Sequence, residues 1–267
     1  MSKRERWSAL LELLAAEGRI DVEEAAGTLE VSSATIRRDL DELAEQQMLV
    51  RTRGGAIAHG VSYELPLRYK SSRRAPEKQR IAAAVADLVG DREVVGLNGG
   101  TTTTEVARVL ALRFGGGPRE DGEAAAAAPT LTVVTNALNI AAELAVRPQI
   151  KTVSTGGVAR PTTYELVGPL TSGVLNEVVL DAAVLGVDGV DAQLGVMAHH
   201  EDEAGVSRRL AERANRVIVA TDSSKLGRRA FARICGLDRV DILVTDVNIS
   251  AETSAELADA GVKVIAV

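Results

Sequence analysis

The chain carries one cysteine in 267 residues, Cys235, which rules out an internal disulfide and any zinc site built on several cysteines. Lying beside Ile234 and Leu237, it reads as a small core residue rather than a nucleophile. Aromatic residues are scarce, 2% against 46% hydrophobic overall, so the core must be built from Ala, Val, Leu and Ile. No apolar run reaches membrane-spanning length and no basic-then-apolar leader opens the chain, so a soluble, cytoplasmic protein without a membrane partner is expected. Positive charge is short as well: 31 Lys and Arg against 37 Asp and Glu leave a net charge of −6. That balance argues against indiscriminate coating of nucleic acid. It leaves specific DNA binding open, because the field that matters there is local. The length fits one large domain or two smaller ones.

The most informative stretch is Val31-Ser32-Ser33-Ala34-Thr35-Ile36-Arg37-Arg38-Asp39-Leu40. Ile36, Leu40 and Leu43 fall at i, i+4 and i+7, one apolar stripe able to pack on a preceding helix. Ser32 and Ser33 suit an N-cap. Thr35, Arg37 and Arg38 lie mostly off the stripe, near the end that would face base edges in a major groove. Arginine suits that place because its planar fork binds guanine or phosphate in bidentate fashion. A solvated arginine pair on an ordinary surface helix would show the same local pattern, so the neighbouring segments decide.

Residues 3–17 form an amphipathic helix pattern with Trp7, Leu10, Leu13 and Leu14 inward, and Gly18 fits just past its end. Asp21 can cap a short helix from Val22 to Leu29, before the third begins at Val31. Three short helices with a tight turn before the third match the helix-turn-helix plan. Residues Leu49 to Ile57 then read as a β-hairpin wing around Gly54-Gly55, whose Arg51 and Arg53 reach phosphate or minor groove, or else form a surface hairpin with no partner. The basic groups at Lys3, Arg4, Arg6, Arg37, Arg38, Arg51 and Arg53 can converge on one face while Glu23, Glu24, Glu42 and Glu45 occupy others. The candidate DNA-contacting set is Ser32, Ser33, Thr35, Arg37, Arg38, Arg51 and Arg53. Asp39 could orient Arg37 or Arg38, or be solvated.

The ordered run VSSATIRRDLDELAEQQMLVRTRGGA resembles the N-terminal domain of DeoR-type bacterial transcriptional regulators. The shared pattern covers Val31-Ser32, Thr35 to Leu40 and Arg51 to Ala56, and it departs at Gln47-Met48, where the family usually has a glycine before the last leucine, and at Arg53, where it usually has histidine. The expected organisation is a winged helix-turn-helix domain over 1–58, a linker over 59–75 and an effector-binding α/β domain over 76–267. Within that domain, 115–129 (Gly-, charge- and Ala-rich) reads as a disordered insertion.

From Pro76 onward strand-like and helix-like segments alternate. A helix carries Ile81, Val85 and Leu88, and a strand at Val94–Leu97 precedes a helix over 105–112. Strands follow at Leu131–Thr135, Ile150–Ser154, Ala182–Val187, Val217–Thr221, Ile242–Thr245 and Val262–Val267, with helices at 138–145, 203–214 and 251–260. Such alternation indicates an α/β domain with a mainly parallel sheet. In such sheets ligands bind beyond the carboxyl ends of the strands. Polar loops come directly after several strands here. Gly99-Gly100 and Thr101 to Thr104 offer backbone approach, hydroxyls and amides at a helix N-terminus, which suits phosphate or carboxylate. Lys225 adds a positive charge, and Asn98, Asn136 and Asp188 can hydrogen-bond sugar hydroxyls. The candidate effector-binding set is Asn98, Gly100, Thr101, Thr102, Thr103, Asn136, Gly156, Gly157, Asp188 and Lys225. Taken singly, each loop also fits an ordinary strand-ending turn.

This half is similar to the DeoR effector domain, a relative in fold of ribose-phosphate isomerases and glucosamine-phosphate deaminases. The matching stretches are Glu77-Lys78, Gly99 to Thr103, Val134-Thr135-Asn136, Gly156-Gly157, Leu185 to Gly189, Asp222 to Lys225 and Thr245-Asp246; Asn98 departs from the family's usual aspartate. The resemblance implies a transcriptional regulator, a repressor of carbohydrate-metabolism genes. Its partners would be double-stranded DNA, a phosphorylated sugar or similar effector, and further copies of the chain in a dimer or tetramer. No cofactor and no resident metal are expected. The competing reading is a sugar-phosphate isomerase or deaminase with a helical module. It would have to draw its acid and base from Asp188, His199, His200, Glu203 and Lys225, which form no compact motif. A third reading, a protein-interaction module, leaves Arg37 and Arg38 without a task.

Overall fold

A computed structural model describes residues 1–45, 48–57, 74–115 and 129–267. The expected linker apart from residues 74 and 75, the interior of the expected insertion, and Gln47 lie outside the described residues. Two compact units emerge, Met1–Arg73 and Arg74–Val267.

In the first unit, helix α1 spans Lys3–Glu17 and opens with a reciprocal cap. The Glu5 amide donates to the Ser2 hydroxyl at 3.3 Å, and the Ser2 amide donates to the Glu5 carboxylate at 2.6 Å. Gly18 closes the helix in the left-handed region (φ 73°). Strand β1 (Arg19–Asp21) comes next, and Asp21 caps α2 (Val22–Thr28) by accepting from the Glu23 and Glu24 amides. The turn before α3 (Ser33–Glu45) puts Glu30 at φ 53°, and the Val31 amide donates back to the Ala26 carbonyl. Ser32 is the N-cap, its hydroxyl accepting the Thr35 amide at 3.2 Å, so α3 starts two residues after Val31.

The wing pairs β2 (Val50–Arg51) with β3 (Gly55–Ile57), and β3 also pairs with β1, giving the antiparallel order β1-β3-β2. Gly55 is required there, because a Cβ at that position would collide with the Ile20 carbonyl. Trp7, Leu10, Leu11, Leu14, Ile36, Leu40 and Leu43 are buried together, whereas Leu13 is only partly covered.

The second unit is built on a parallel sheet. Its strands are β4 (Val94–Leu97), β5 (Leu131–Thr135), β6 (Ile150–Ser154), β9 (Leu180–Leu185), β12 (Ala214–Ala220), β14 (Ile242–Thr245) and β15 (Lys263–Ala266), every pairing parallel. The seven lie in the order β15-β14-β12-β9-β4-β5-β6. Side chains alternate between two cores. On one face Val95, Leu97, Val184 and Ile218 meet the helices Ala75–Asp87, Thr101–Phe114 and Leu138–Ala145. On the other, Leu185, Val217 and Val219 meet the helices Glu201–Arg213 and Ala251–Asp259. Burial on both faces explains why the strands read as nearly continuous apolar runs.

Some boundaries differ from expectation. The helix after β4 begins at Thr101 rather than 105, because Gly100 (φ 135°) turns the chain directly into it. Strand β9 spans 180–185, ending before Gly186. A small antiparallel sheet, β10 (Gly189–Asp191), β11 (Gly195–Ala198) and β13 (Ala232–Cys235), stands where the residue pattern suggests only loops. The short antiparallel pair β7 (Val158–Ala159) and β8 (Leu166–Val167) has no clear signature in the residue pattern either.

Candidate DNA-reading face and effector site

On the first unit, α3 brings Ser33 and Arg37 to one face, four residues apart. Both are engaged by Glu23 of α2: the Ser33 hydroxyl donates to Oε2 at 2.6 Å and the Arg37 guanidinium to Oε1 at 3.0 Å. Glu23 therefore does not stand apart from the arginines, as the charge pattern suggested, but sits against them. Arg38 and Arg53 are exposed, and Thr35 is half-buried with its hydroxyl against that of Ser32. Arg51, expected on phosphate, is engaged within the domain, its Nε donating to the exposed Asp41 at 2.7 Å and its guanidinium also engaging the Gly55 carbonyl.

Asp39 neither orients Arg37 or Arg38 nor faces solvent. It is 2% exposed and accepts from Arg6 Nε at 2.7 Å, Arg6 Nη2 at 3.2 Å and Trp7 Nε1 at 3.0 Å. This fork joins α3 to α1 and raises the Arg6 pKa, chiefly through the Asp39 hydrogen bond. Arg6 is thereby removed from the surface cluster, and Lys3 pairs with Glu42 while lying 4.9 Å from the Trp7 ring centroid.

On the second unit, the chain winds from β4 outward to β5 and β6, then returns on the other side to β9, β12, β14 and β15. The order reverses between β4 and β9, the crevice where open α/β sheets bind ligands. Asn98 spans it: its amide donates to the Gly186 carbonyl at 2.8 Å and the Ser207 hydroxyl at 3.0 Å, and accepts the Gly186 amide at 2.8 Å. With its amide fully committed and 4% exposed, Asn98 braces the two strand ends.

Two of the loop hydroxyls are similarly committed. Thr103 and Thr104 donate to the Gly100 carbonyl at 3.2 and 2.6 Å, and Thr102 and Thr103 are buried. What the Gly99–Thr101 turn presents is backbone, at the N-terminus of a fourteen-residue helix. Asp188 and Lys225, 37 positions apart in sequence, come together: Nζ lies 3.5 Å from Oδ1, and Oδ2 accepts the His199 amide at 3.0 Å. Lys225 sits on the 3-10 turn Ser223–Lys225 after β12, capped by Asp222, whose carboxylate also lies 3.6 Å from Arg74 Nε. Asp246, after β14, is buried and accepts from the Ser223 amide and hydroxyl at 2.7 and 3.0 Å, fixing the same turn.

Beyond Gly156 and Gly157, the residue pattern marks nothing in the loop between β6 and β9 as part of this rim. Asn136 is wholly buried and donates to Glu165 Oε2 at 2.9 Å and the Leu166 carbonyl at 3.2 Å. Glu165 lies over Gly99 so closely that any Cβ there would strike it. Glu203, buried, accepts from Thr163 at 2.9 Å and lies 3.2 Å from Arg160 Nε. Gly156 and Gly157 (φ 71° and 123°) turn the chain into this loop; a Cβ at Gly157 would sit 2.8 Å from Thr171 Cγ2. Arg160, Thr163 and Glu165 follow no spacing rule in the chain, so only the fold gathers them with Asn136 and Glu203. Cys235 is half-buried, and burial pushes its thiol up to about 11, as suits a structural residue. Among the described residues no group of three or more His, Cys, Asp or Glu is placed to hold a metal ion, and no helix is long and apolar enough to cross a membrane.

Residues 6–60 match the DeoR-like helix-turn-helix domain, and residues 73–247 match the DeoR C-terminal sensor domain. The chain belongs to the DeoR family. It is a DNA-binding transcriptional regulator with a small-molecule sensor domain, not an enzyme. It is 33% identical over 98% of its length, and 93% of the relative's, to a putative aga operon transcriptional repressor of Escherichia coli O157:H7. It is 30% identical to the glycerol-3-phosphate regulon repressor of E. coli K12, over 92% of each chain. Among solved structures, ribose 5-phosphate isomerase A from Methanocaldococcus jannaschii aligns over 56% of this chain and 53% of that one, at 21% identity and TM-score 0.39.

Proposed function

We propose that this DeoR-family protein is a cytoplasmic repressor of carbohydrate-metabolism genes whose hold on DNA is set by a phosphorylated sugar or a related small polyol phosphate. One observation carries the reading. At the sheet's reversal point, a Gly-Gly turn presents backbone at a helix N-terminus, and across the strand ends stand a lysine and several carboxylates. A phosphate suits the turn and Lys225. Hydroxyls suit Asp188 and the buried Glu165 and Glu203. Gly100, Thr101 and Lys225 form the anion end; Asn98, Thr102, Thr103, Asn136, Gly156 and Gly157 shape the walls. The related E. coli protein bears glycerol-3-phosphate in its regulon's name, which agrees in chemistry.

The domains divide as DNA-reading residues 1–58, linker 59–75 and sensor 76–267. The protein acts as a homo-oligomer, a dimer or tetramer, because repeated half-sites are read by paired recognition helices. The test is a DNA mobility shift with the full chain on its own upstream region at fixed salt, with and without a panel of phosphorylated sugars and their unphosphorylated counterparts. Release by a phosphorylated compound and not by its counterpart supports the reading. Release by an unphosphorylated sugar alone, or by none, overturns the phosphate assignment while leaving the DNA role intact.

A further inference from the structure

Two arginines stand side by side on α3, yet their surroundings differ. Arg38 is exposed and makes no ion pair among the described residues. Arg37, equally open at 57% side-chain exposure, is tied to Glu23, which is itself 69% exposed. Glu23 is fixed from below, since its own amide donates to Asp21 Oδ1 at 2.9 Å in the α2 cap. Both of its carboxylate oxygens are filled by α3: Ser33 takes one and Arg37 the other. These two partners stand one helical turn apart on the face that reads DNA.

An exposed pair of this kind adds little to stability, about 0–1 kcal/mol, so folding does not explain a carboxylate at this place. Against a polyanion it is unfavourable unless it serves recognition. One Arg37 nitrogen engages Glu23, which leaves other N–H groups of the guanidinium free. A guanidinium anchored at one edge presents the rest of its fork in a fixed direction and is kept from swinging to the nearest phosphate.

We propose that Glu23 is a specificity-determining residue for DNA binding. It holds Arg37 for a base edge and repels a phosphate from that position, whereas Arg38 is the sequence-blind backbone contact. The two helices thus share one reading unit, with α2 setting the selectivity of α3.

The test uses the full chain, a duplex enriched by that chain from a randomised library, and poly(dI-dC) as the sequence-blind duplex. Glu23→Gln frees Arg37 while leaving the α2 cap in place. The ratio of affinities for the two duplexes should fall about tenfold, the order of one arginine–base pairing. The salt dependence on poly(dI-dC) should steepen by about 0.9, one added phosphate contact. In an Arg37→Ala background the same Glu23→Gln change should leave that ratio where it is. Arg37→Lys, which keeps the charge but cannot fork, should lose the same discrimination should Glu23→Gln prove unstable. The proposal is overturned by an unchanged ratio, by parallel gains on both duplexes in the wild-type background, or by a fall in the ratio that persists without Arg37.

Discussion

Replacing Asp39 with Asn perturbs the DNA-reading unit at its most buried polar point. The wild-type carboxylate receives three donors, two from Arg6 and one from Trp7. Asn keeps the volume but offers one acceptor oxygen, and its amide nitrogen must face a donor. Removing one partner of a buried ion pair costs about 3–5 kcal/mol, and a hydrogen bond to a charged group is worth about 1.5–3 kcal/mol. The Arg6 side chain keeps 15% exposure and a route to water, which lowers the loss to about 2–4 kcal/mol. For a domain of this size each kcal/mol shifts the midpoint by about 4–8 °C, so a loss of roughly 8–32 °C is expected. Trp7 is the sole tryptophan and bonds the altered residue, so its fluorescence reports this unit alone in the full chain. A loss of less than about 0.5 kcal/mol, taken from the shift in urea midpoint times the m-value, would refute the claim that this fork joins α1 to α3.

Three further outcomes are expected from the geometry. With its thiol raised to about 11 from 9.0, native Cys235 should react with a disulfide reagent at pH 8 about a hundredfold more slowly than after unfolding in urea; equal rates would contradict this. Burial alone would raise the Asp246 pKa, but hydrogen bonds from Ser223 and Asn248 outweigh it and hold the value below 3.8. Its contribution is therefore complete above that pH and lost as pH falls through the lowered value, so the gap in sensor-domain melting between wild type and Asp246→Asn should narrow below 3.8; a constant gap would refute it. Gly157→Ala forces a left-handed φ of 123° on alanine beside Thr171 and the Val167 carbonyl, and should destabilise the sensor unit by about 2 kcal/mol or more in a calorimetric scan, while unit 1–73, followed at Trp7, melts unchanged.

Much of this was legible in the chain because it rests on periodicity and capping. The Ile36-Leu40-Leu43 stripe, the Asp21 cap and the Gly18 terminus are local rules, and the structure obeys them. The parallel sheet was legible because strands buried on both faces must be apolar runs ended by polar turns. Side-chain commitment was not legible. Asn98 looks like a ligand group until Gly186 and Ser207, some hundred residues away, fill its amide. Arg51 looks free until Asp41 comes beside it, and Asp39 is ambiguous in sequence because its partners lie on another helix. Glu165 and Glu203 carry no motif; Glu165 reaches the rim through the loop that Gly156 and Gly157 turn into, and Glu203 from the first turn of the helix Glu201–Arg213. Residue type announces chemistry, but only tertiary pairing decides whether that chemistry is already used.

The most direct measurement of the central claim is reciprocal linkage. The affinity of the full chain for a phosphorylated sugar is titrated with and without saturating operator duplex, and its affinity for the duplex with and without the sugar, at one salt concentration. The expected result is one common factor, of about 5–150, in both directions, abolished by Lys225→Ala with DNA affinity alone unchanged. A phosphorylated sugar that binds yet leaves DNA affinity untouched, or coupling that survives without Lys225, would contradict a regulator whose switch lies at the β4–β9 reversal point.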